Sequence, residues 1–318
     1  DVLVVGGGIS GIISAKLSAE KGLDTILIDD KSFLGGSTIY QENECYKINS
    51  VKSNKWLANE IESLKNYPNL LIKNRTSLAA FHGYNYLLAR ENLTDHLSIN
   101  ERKGKVRQRL WKIRAKKVII ASGSIERPLI FSNNDRPGII LSSSIKKYID
   151  YYGVKTGENI SLFTNNDTAY ETAISLYKSG VKVNVIVDIR KNSDSLIVKE
   201  ALELGLKVLW ESTVVDTQGY KRIKSFEVMK LSDDGNNVVG DRSKYNCDCL
   251  GISGGWTPMV HLFTQSGGKL KFRNDDNVFI PDENKTPSNQ ISVGSCNGEF
   301  KLNEIVVNTC LLYTSPSP

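Results

Sequence analysis

Short apolar runs alternate with longer helical patterns along the chain. Residues 1–5 read as a buried strand, a helix-like run covers 12–21, Gly22 ends it, and residues 25–28 form a second apolar strand. More strand-like runs follow, at residues 70–72, 117–121, 160–163, 181–187 and 206–209. Strands that alternate with helices in this way predict parallel sheets.

The strand–helix–strand arrangement occurs a second time, between residues 160 and 188, without obvious sequence identity to the first. We therefore predict an α/β fold with two halves of the nucleotide-binding type. The first domain is expected to be discontinuous, formed by residues 1–137 and 247–305, with the second domain inserted at 138–246. Residues 306–318 are expected to form a tail that is partly non-native.

The turn after the first strand carries three glycines in the spacing Gly6-x-Gly8-x-x-Gly11. Bare backbone lets the chain turn tightly, approach a diphosphate and pack the helix on the strand, while the helix N-terminus faces the phosphates. Asp29 and Asp30 follow about 20 residues later, where carboxylates accept hydrogen bonds from ribose hydroxyls. The pattern predicts a dinucleotide site that disfavours the 2′-phosphate of NADP and leaves both NAD and FAD open.

Further small-residue segments are typical of large flavoprotein folds. Gly36 and Ser37 belong to a loop that would lie over the pyrophosphate and ribose, with a surface turn as the alternative. The strand at 117–121 runs into Gly123, which resembles the motif that ends the strand between the two domains of such proteins. Gly294 resembles the strand-end glycine that closes their cofactor site.

The second unit lacks the glycines of the first. Its turn, at residues 163–170, contains none, so we expect no second dinucleotide to bind in the usual way. Asp188, at the end of the following strand, is interpreted as a solvated strand end. Cys247 and Cys249 are not spaced as a Cys-x-x-Cys redox pair, and we expect two strand cysteines on one face rather than metal ligands. The turn before Trp256 either presents this aromatic ring to a flavin or partner, or fixes a domain corner.

Composition narrows the classes of protein further. With 318 residues, 40% hydrophobic and 24% charged, the chain is an ordinary globular protein whose net charge of +6 is too dilute to argue for nucleic acid or membranes. Its basic run at 102–117 alternates with Trp111 and Ile113, which predicts a strand with one basic face suited to an acidic partner subunit. Five scattered cysteines, including the isolated Cys45, fit a reducing cytoplasm.

Several longer segments resemble the α subunits of heterotetrameric sarcosine oxidases. They are residues 107–116, 126–128, 134–138, 163–167, 253–258 and 260–270. The resemblance implies a glutathione-reductase-like fold with two dinucleotide-binding domains, parallel sheets and three-stranded β-meander elements. It implies a complex with β, γ and δ subunits that oxidises sarcosine with O2 to glycine, hydrogen peroxide and a one-carbon unit. NAD would sit in this chain, FAD and amine oxidation on the β subunit, and FMN at the interface with that partner.

The resemblance also completes the predicted cofactor site. The expected cofactor-binding residues are Gly6, Gly8, Ser10, Gly11, Asp29, Asp30, Lys31, Gly36, Ser37, Gly123, Gly294, Ser295, Phe300 and Leu302. No catalytic residue and no metal ligand is assigned to this chain. Two alternatives stay open: an FAD-binding α subunit of a dye-linked amine, proline, opine or cyanide-forming dehydrogenase, and a scaffold subunit whose nucleotide is purely structural.

Overall fold

The computed structural model describes residues 1–40, 47–287 and 289–311. Its α-helices are α1 (Ile9–Glu20), α2 (Ser53–Ser63), α3 (Ile99–Arg102), α4 (Ser142–Asp150), α5 (Thr168–Lys178), α6 (Leu196–Glu203), α7 (His261–Gln265) and α8 (Leu302–Leu311). Its strands in the first half of the chain are β1 (Val2–Val5), β2 (Thr25–Ile28), β3 (Lys47–Ile48), β4 (Val51–Lys52), β5 (Leu70–Lys73), β6 (Thr76–His82), β7 (Tyr86–Asn92), β8 (Gln108–Arg114), β9 (Lys117–Ile120), β10 (Ser124–Glu126) and β11 (Ile139–Leu141). The later strands are β12 (Asn159–Thr164), β13 (Lys182–Asp188), β14 (Val208–Leu209), β15 (Ser212–Gly219), β16 (Ile223–Leu231), β17 (Val238–Asn246), β18 (Cys249–Ser253), β19 (Trp256–Pro258), β20 (Leu270–Arg273), β21 (Val278–Pro281) and β22 (Gln290–Ser292).

Two compact units make up the described chain. Unit 1 contains residues 1–125 together with the described residues from Thr257 onward, and unit 2 contains Glu126–Trp256. Unit 1 is discontinuous in sequence, and the predicted boundaries differ from those of the two units, because they assign residues 126–137 and 247–256 to the first domain. The difference has a clear cause, because β18 pairs in parallel with β11 and β12 in the middle of the sheet of unit 2.

Unit 1 is built on a five-stranded parallel sheet in the order β22-β9-β1-β2-β5. The central strand β1 is buried on both faces: Val2 and Val4 pack in one apolar cluster with α1, and Leu3 and Val5 pack in another on the opposite face. A strand buried on both sides requires an uninterrupted apolar run, which is what residues 2–5 provide. The predicted parallel sheet is therefore confirmed.

A three-stranded antiparallel sheet, β6-β7-β8, covers one face of this parallel sheet with Phe81, Leu87 and Ala89. The basic run forms β8, as predicted, with Trp111 and Ile113 packed against that core. Pairing places Leu88 opposite Lys112, so the outward face of the sheet combines basic and apolar side chains.

Unit 2 repeats the architecture with a parallel sheet in the order β11-β18-β12-β13-β14 and an antiparallel sheet β15-β16-β17. Its apolar residues alternate between two clusters: Ile160 and Leu162 of β12 face one side, and Phe163 faces the other. The second strand–helix–strand unit, β12-α5-β13, is confirmed.

Two interpretations of single residues in unit 2 are wrong. Asp188 is completely buried rather than solvated, because Tyr170 and Arg190 surround its carboxylate. Cys247 and Cys249 pack in different clusters rather than on one face, since β18 begins only at Cys249. Both are free, buried thiols, and burial raises the pKa of Cys247 to about 12. Cys45 and the tail residues 312–318 lie outside the described residues.

Candidate cofactor site

The predicted site residues of unit 1 gather at one edge of its parallel sheet. The strands β1, β2, β9 and β22 all run in the same direction, so their carboxyl ends meet there. The segments that follow these ends contain Gly6, Asp29, Gly123 and Gly294. Ligands of open parallel α/β sheets bind at this edge, which makes it the candidate cofactor site.

Two glycines of the turn are needed for the approach of α1 to β1. A Cβ atom on Gly11 would stand 1.7 Å from the carbonyl oxygen of Gly6. A Cβ atom on Gly6 would stand 2.2 Å from the carbonyl oxygen of Ala121, and the φ of Gly6 is +108°, which disfavours any other residue. Only bare backbone therefore lets the turn, helix and neighbouring strand come this close.

Gly8 has a different role, because the described residues leave open space around it. It is the N-cap of α1 with an ordinary φ of −75°, and the nearest heavy atom to an added Cβ would be the Cα of Gly36, 4.0 Å away. No side chain within residues 1–40, 47–287 and 289–311 caps the helix, and its first turn contains no acidic residue. The first N–H groups of a helix have no partner inside the helix, so this tip offers donors and positive potential to an anion.

Asp29 fixes the glycine turn from the end of β2. Its Oδ2 accepts a hydrogen bond from the Gly7 N–H at 2.5 Å, and its Oδ1 accepts one from the Lys31 N–H at 2.7 Å. Burial raises the pKa of this carboxyl, partly offset by the two backbone hydrogen bonds. A carboxylate has about four acceptor positions, so Asp29 keeps capacity for ribose hydroxyls. Asp30 is exposed and pairs with the Lys31 ammonium at 3.1 Å.

The loop after the acidic pair lies beside the glycine turn. The Gly35 N–H donates to the Gly7 carbonyl at 2.7 Å, and a Cβ on Gly36 would come within 3.0 Å of the Gly8 Cα. Ser37 is exposed at the start of the short 3-10 turn that follows. This loop forms a second wall next to the helix tip.

The ends of β9 and β22 supply the remaining side of the site. A Cβ on Gly294 would stand 2.1 Å from the Ser10 Oγ, so these two residues are in close contact. Ser295 follows in the same 3-10 turn. Gly123 accepts a hydrogen bond from the Met259 N–H at 3.0 Å. The contact between Gly294 and Ser10 places the end of β22 against the first turn of α1.

The last two predicted cofactor-binding residues, Phe300 and Leu302, differ in their exposure and in their contacts. Leu302 packs against the apolar cluster that contains Ile9 and Val293, and Phe300 is partly exposed with the Arg273 guanidinium 6.0 Å from its ring. Leu302 begins α8, which packs on α1 through Ile305 and Val306 in the same cluster.

Sequence reasoning missed three residues that shape the site. Gly7 supplies the N–H for Asp29, Ser122 donates its hydroxyl to the Met259 carbonyl at 2.8 Å, and the buried Cys296 thiol donates to the Ile120 carbonyl at 3.1 Å. Ser122 could have been identified from the sequence, because it directly precedes Gly123. No local pattern marks Cys296, because its partner is distant in the sequence.

The described ranges contain no group of three or more His, Cys, Asp or Glu side chains that could hold a metal ion. None of the helices found there is long and apolar enough to cross a membrane.

The chain is similar in sequence to known proteins. The α subunit of sarcosine oxidase from Corynebacterium sp. (strain P-1) is 34% identical over 302 residues, which cover 94% of this chain and 30% of that protein. The chain thus spans about a third of the length of this relative.

Solved structures show the same fold. Thioredoxin reductase from T. acidophilum matches with a TM-score of 0.74 at 17% identity, covering 99% of this chain and 96% of that one. L-Proline dehydrogenase from P. horikoshii matches with a TM-score of 0.67 at 22% identity, covering 93% of this chain and 50% of that one. The predicted two-domain α/β fold is therefore confirmed.

The family model for pyridine nucleotide-disulphide oxidoreductases matches residues 1–302, nearly the whole chain. Since the glycine turn, the parallel sheets and this match coincide, the chain belongs to the pyridine nucleotide-disulphide oxidoreductase family.

Proposed function

We propose that this chain is the NAD-binding portion of the α subunit of a multi-subunit sarcosine oxidase. The 34% identity to the Corynebacterium α subunit across nearly all of this chain supports the proposal. In the proposed complex, which includes β, γ and δ subunits, the β subunit holds FAD and oxidises the amine, and FMN lies at its interface with this chain. The products are glycine, hydrogen peroxide and a one-carbon unit.

The uncapped tip of α1 carries the proposal. Gly8 leaves room for a diphosphate, the first N–H groups of the helix supply donors, and the Gly36 loop borders the same space. The residues present fit a dinucleotide, since donors, open space and an acidic residue at the end of β2 occur together. Ser10 and the Gly294–Ser295 turn would complete the wall on the side of β22.

Asp29 and Asp30 favour NAD over NADP. Asp29 retains acceptor positions for the ribose hydroxyls, and two adjacent carboxylates repel a 2′-phosphate. The choice between NAD and FAD depends on the far end of the cofactor, beyond these residues. When bound, NAD supplies hydride chemistry or serves only to stabilise the fold; this chain's own residues bind and orient the adenosine half.

The outward face of β6-β7-β8 is a candidate contact surface for a partner subunit. Arg90 and Lys112 are exposed on it, next to the half-buried Leu88. Such a mixed basic and apolar face suits an acidic partner better than nucleic acid, because the apolar residues gain from burial. We place the complex in the cytoplasm, which fits the free thiols of the four described cysteines.

One alternative is supported by the likeness to the P. horikoshii L-proline dehydrogenase, although at 22% identity that likeness concerns the fold. In this alternative the same pocket holds FAD, and the complex is a dye-linked dehydrogenase. In a further alternative the nucleotide only stabilises a scaffold subunit.

Extraction and mass determination of the bound cofactor would test the proposal. We expect the chain, purified with its partner subunits, to release NAD, and the chain alone to bind NAD without oxidising sarcosine. Release of FAD, seen also as a flavin absorbance spectrum of the single chain, would favour the dehydrogenase. Sarcosine oxidation by the single chain would contradict the assignment of amine oxidation to a partner. The scaffold reading requires normal turnover in an assembled complex whose NAD site has been blocked.

A further inference from the structure

Unit 2 contains the same strand–helix–strand arrangement as the cofactor site of unit 1. β12 and β13 are parallel neighbours joined by α5, just as β1 and β2 are joined by α1. The turn before α5 therefore occupies the place that the glycine turn occupies in unit 1. The two turns differ in what fills the space at the helix tip.

Asn166 fills this space in unit 2. Its Oδ1 accepts hydrogen bonds from the Thr168 N–H at 3.0 Å and the Thr168 hydroxyl at 2.5 Å, so the first N–H of α5 already has a partner. Its Nδ2 donates to the Ser253 Oγ at 3.0 Å and the Asn165 Oδ1 at 3.0 Å. The indole N–H of Trp256 donates to the Thr168 hydroxyl at 3.3 Å. The helix tip that is bare in unit 1 is thus covered by side chains in unit 2.

Arg190 fills the position next to the second strand. Its guanidinium donates to the Asp188 Oδ2 through Nη2 at 2.7 Å and to the Asp167 Oδ1 through Nη1 at 2.6 Å. The Asp167 carboxylate also accepts from the Ser193 hydroxyl at 3.0 Å. Burial alone would lower the pKa of Arg190, but the hydrogen bonds and charges of the two aspartates outweigh it and raise that pKa.

Asp188 stands where Asp29 stands in unit 1, at the end of the second strand, but its acceptors are used up. It accepts hydrogen bonds from the Arg190 N–H, from two guanidinium nitrogens and from the Tyr170 hydroxyl at 2.8 Å. A carboxylate has about four acceptor positions, so Asp188 has none left for a ribose, whereas Asp29 has used two.

We infer that unit 2 is a nucleotide fold whose own side chains occupy the nucleotide position: Asn166 at the helix tip, and the Asp167–Arg190–Asp188 network beside it. The part of the chain that the structure describes then has a single place for a dinucleotide, in unit 1. No nicotinamide held by unit 2 can then pass a hydride to a redox group bound to this chain.

Hydrogen exchange of the full chain, with NADH and NADPH as probes, tests this inference. We expect exchange in residues 164–170 and 188–193 to be the same with and without either nucleotide, in the wild type and in a Gly8→Asp variant that blocks unit 1. Nucleotide-dependent protection of 164–170 in either protein would overturn the inference. Protection of residues 6–12 reports on the proposed function separately, and its absence would contradict that function while leaving unit 2 closed.

An Arg190→Ala variant tests the network itself. Without nucleotide, we expect amides at 188–193 to exchange about tenfold faster or more, because Asp188 and Asp167 lose their shared partner. The matched control is Arg242→Ala, which removes an exposed guanidinium paired with Glu227 and should leave exchange at 188–193 unchanged. Unchanged exchange at 188–193 in Arg190→Ala would show that the network does not hold this segment closed.

Discussion

Gly8→Asp separates the folding role of the glycine turn from its binding role. The φ of Gly8 suits any residue, and among the described residues an added Cβ would meet no atom closer than 4.0 Å. Aspartate is also a better N-cap than glycine, by a few tenths of a kcal/mol, and its charge gains about 0.3–1 kcal/mol from the helix dipole. We therefore expect the free energy of unfolding to rise by about 0.5–1 kcal/mol.

The same substitution should remove nucleotide binding. The new carboxylate would occupy the N–H groups proposed for the diphosphate and repel it. Hydrogen bonds to charged groups contribute about 1.5–3 kcal/mol each, so the loss of two weakens binding by at least about 3 kcal/mol, or more than a hundredfold in Kd. Titration calorimetry with NAD and denaturant unfolding, on the same preparations, measure the two effects.

Gly11→Ala is the matched contrast. Its Cβ would stand 1.7 Å from the Gly6 carbonyl oxygen, so α1 and β1 must separate by about 1.5 Å, at a cost of about 1–3 kcal/mol or more. We expect this variant to lose stability and binding together. If Gly8→Asp binds NAD like the wild type, the helix tip is not the phosphate site; if it unfolds like Gly11→Ala, our reading of the space around Gly8 is wrong.

Three further predictions concern Arg190, Asp29 and Lys112. Arg190→Met should lower the free energy of unfolding by about 3–5 kcal/mol in chemical denaturation, because it leaves the buried Asp188 carboxylate without its cationic partner. The control Arg242→Met, which breaks an exposed ion pair, should lower it by at most about 1 kcal/mol. Equal losses in the two variants would contradict this prediction. NAD affinity should fall as the pH decreases from neutral, because burial raises the pKa of Asp29 and protonation removes a ribose acceptor; an Asp29→Asn variant with the same pH profile would refute this origin. Lys112→Glu should weaken association with partner subunits by about tenfold in sedimentation experiments, and Lys65→Glu, in the 3-10 turn after α2, should not; equal effects would exclude the face of β8 as the contact.

The glycine turn and the parallel strands could be predicted because their causes are local. Residues 2–5 and 118–120 are buried on both faces, and such strands show as continuous apolar runs. The steric need for Gly6 and Gly11 is likewise written in a spacing of a few residues. These features depend on neighbours in sequence, so a reading of the sequence recovers them.

The errors concern contacts between residues that are distant in sequence. The place of β18 in the sheet of unit 2 depends on its pairing with β12, nearly 90 residues earlier, which no local pattern records. Asp188 looks like any acidic residue after a strand until Tyr170, on the preceding helix, reaches it. The hydrogen bond from the Cys296 thiol to the Ile120 carbonyl of β9 likewise joins residues that are distant in sequence.

The two helix tips show why a fold match cannot count binding sites. α1 and α5 follow parallel strands in equivalent sheets, and helix geometry leaves the first N–H groups of each without a partner inside the helix. What differs is the segment before each helix: Gly8 leaves the donors of α1 open to an anion, whereas Asn166, two residues before α5, supplies an internal acceptor to that helix. Asn166 is part of the chain, so its hydrogen bond to α5 costs no translational entropy, whereas a free nucleotide loses translational entropy when it binds. A nucleotide would also have to displace both Asn166 and the Arg190 network. Side chains at the tip, rather than the fold, therefore decide which half of this chain can bind a nucleotide.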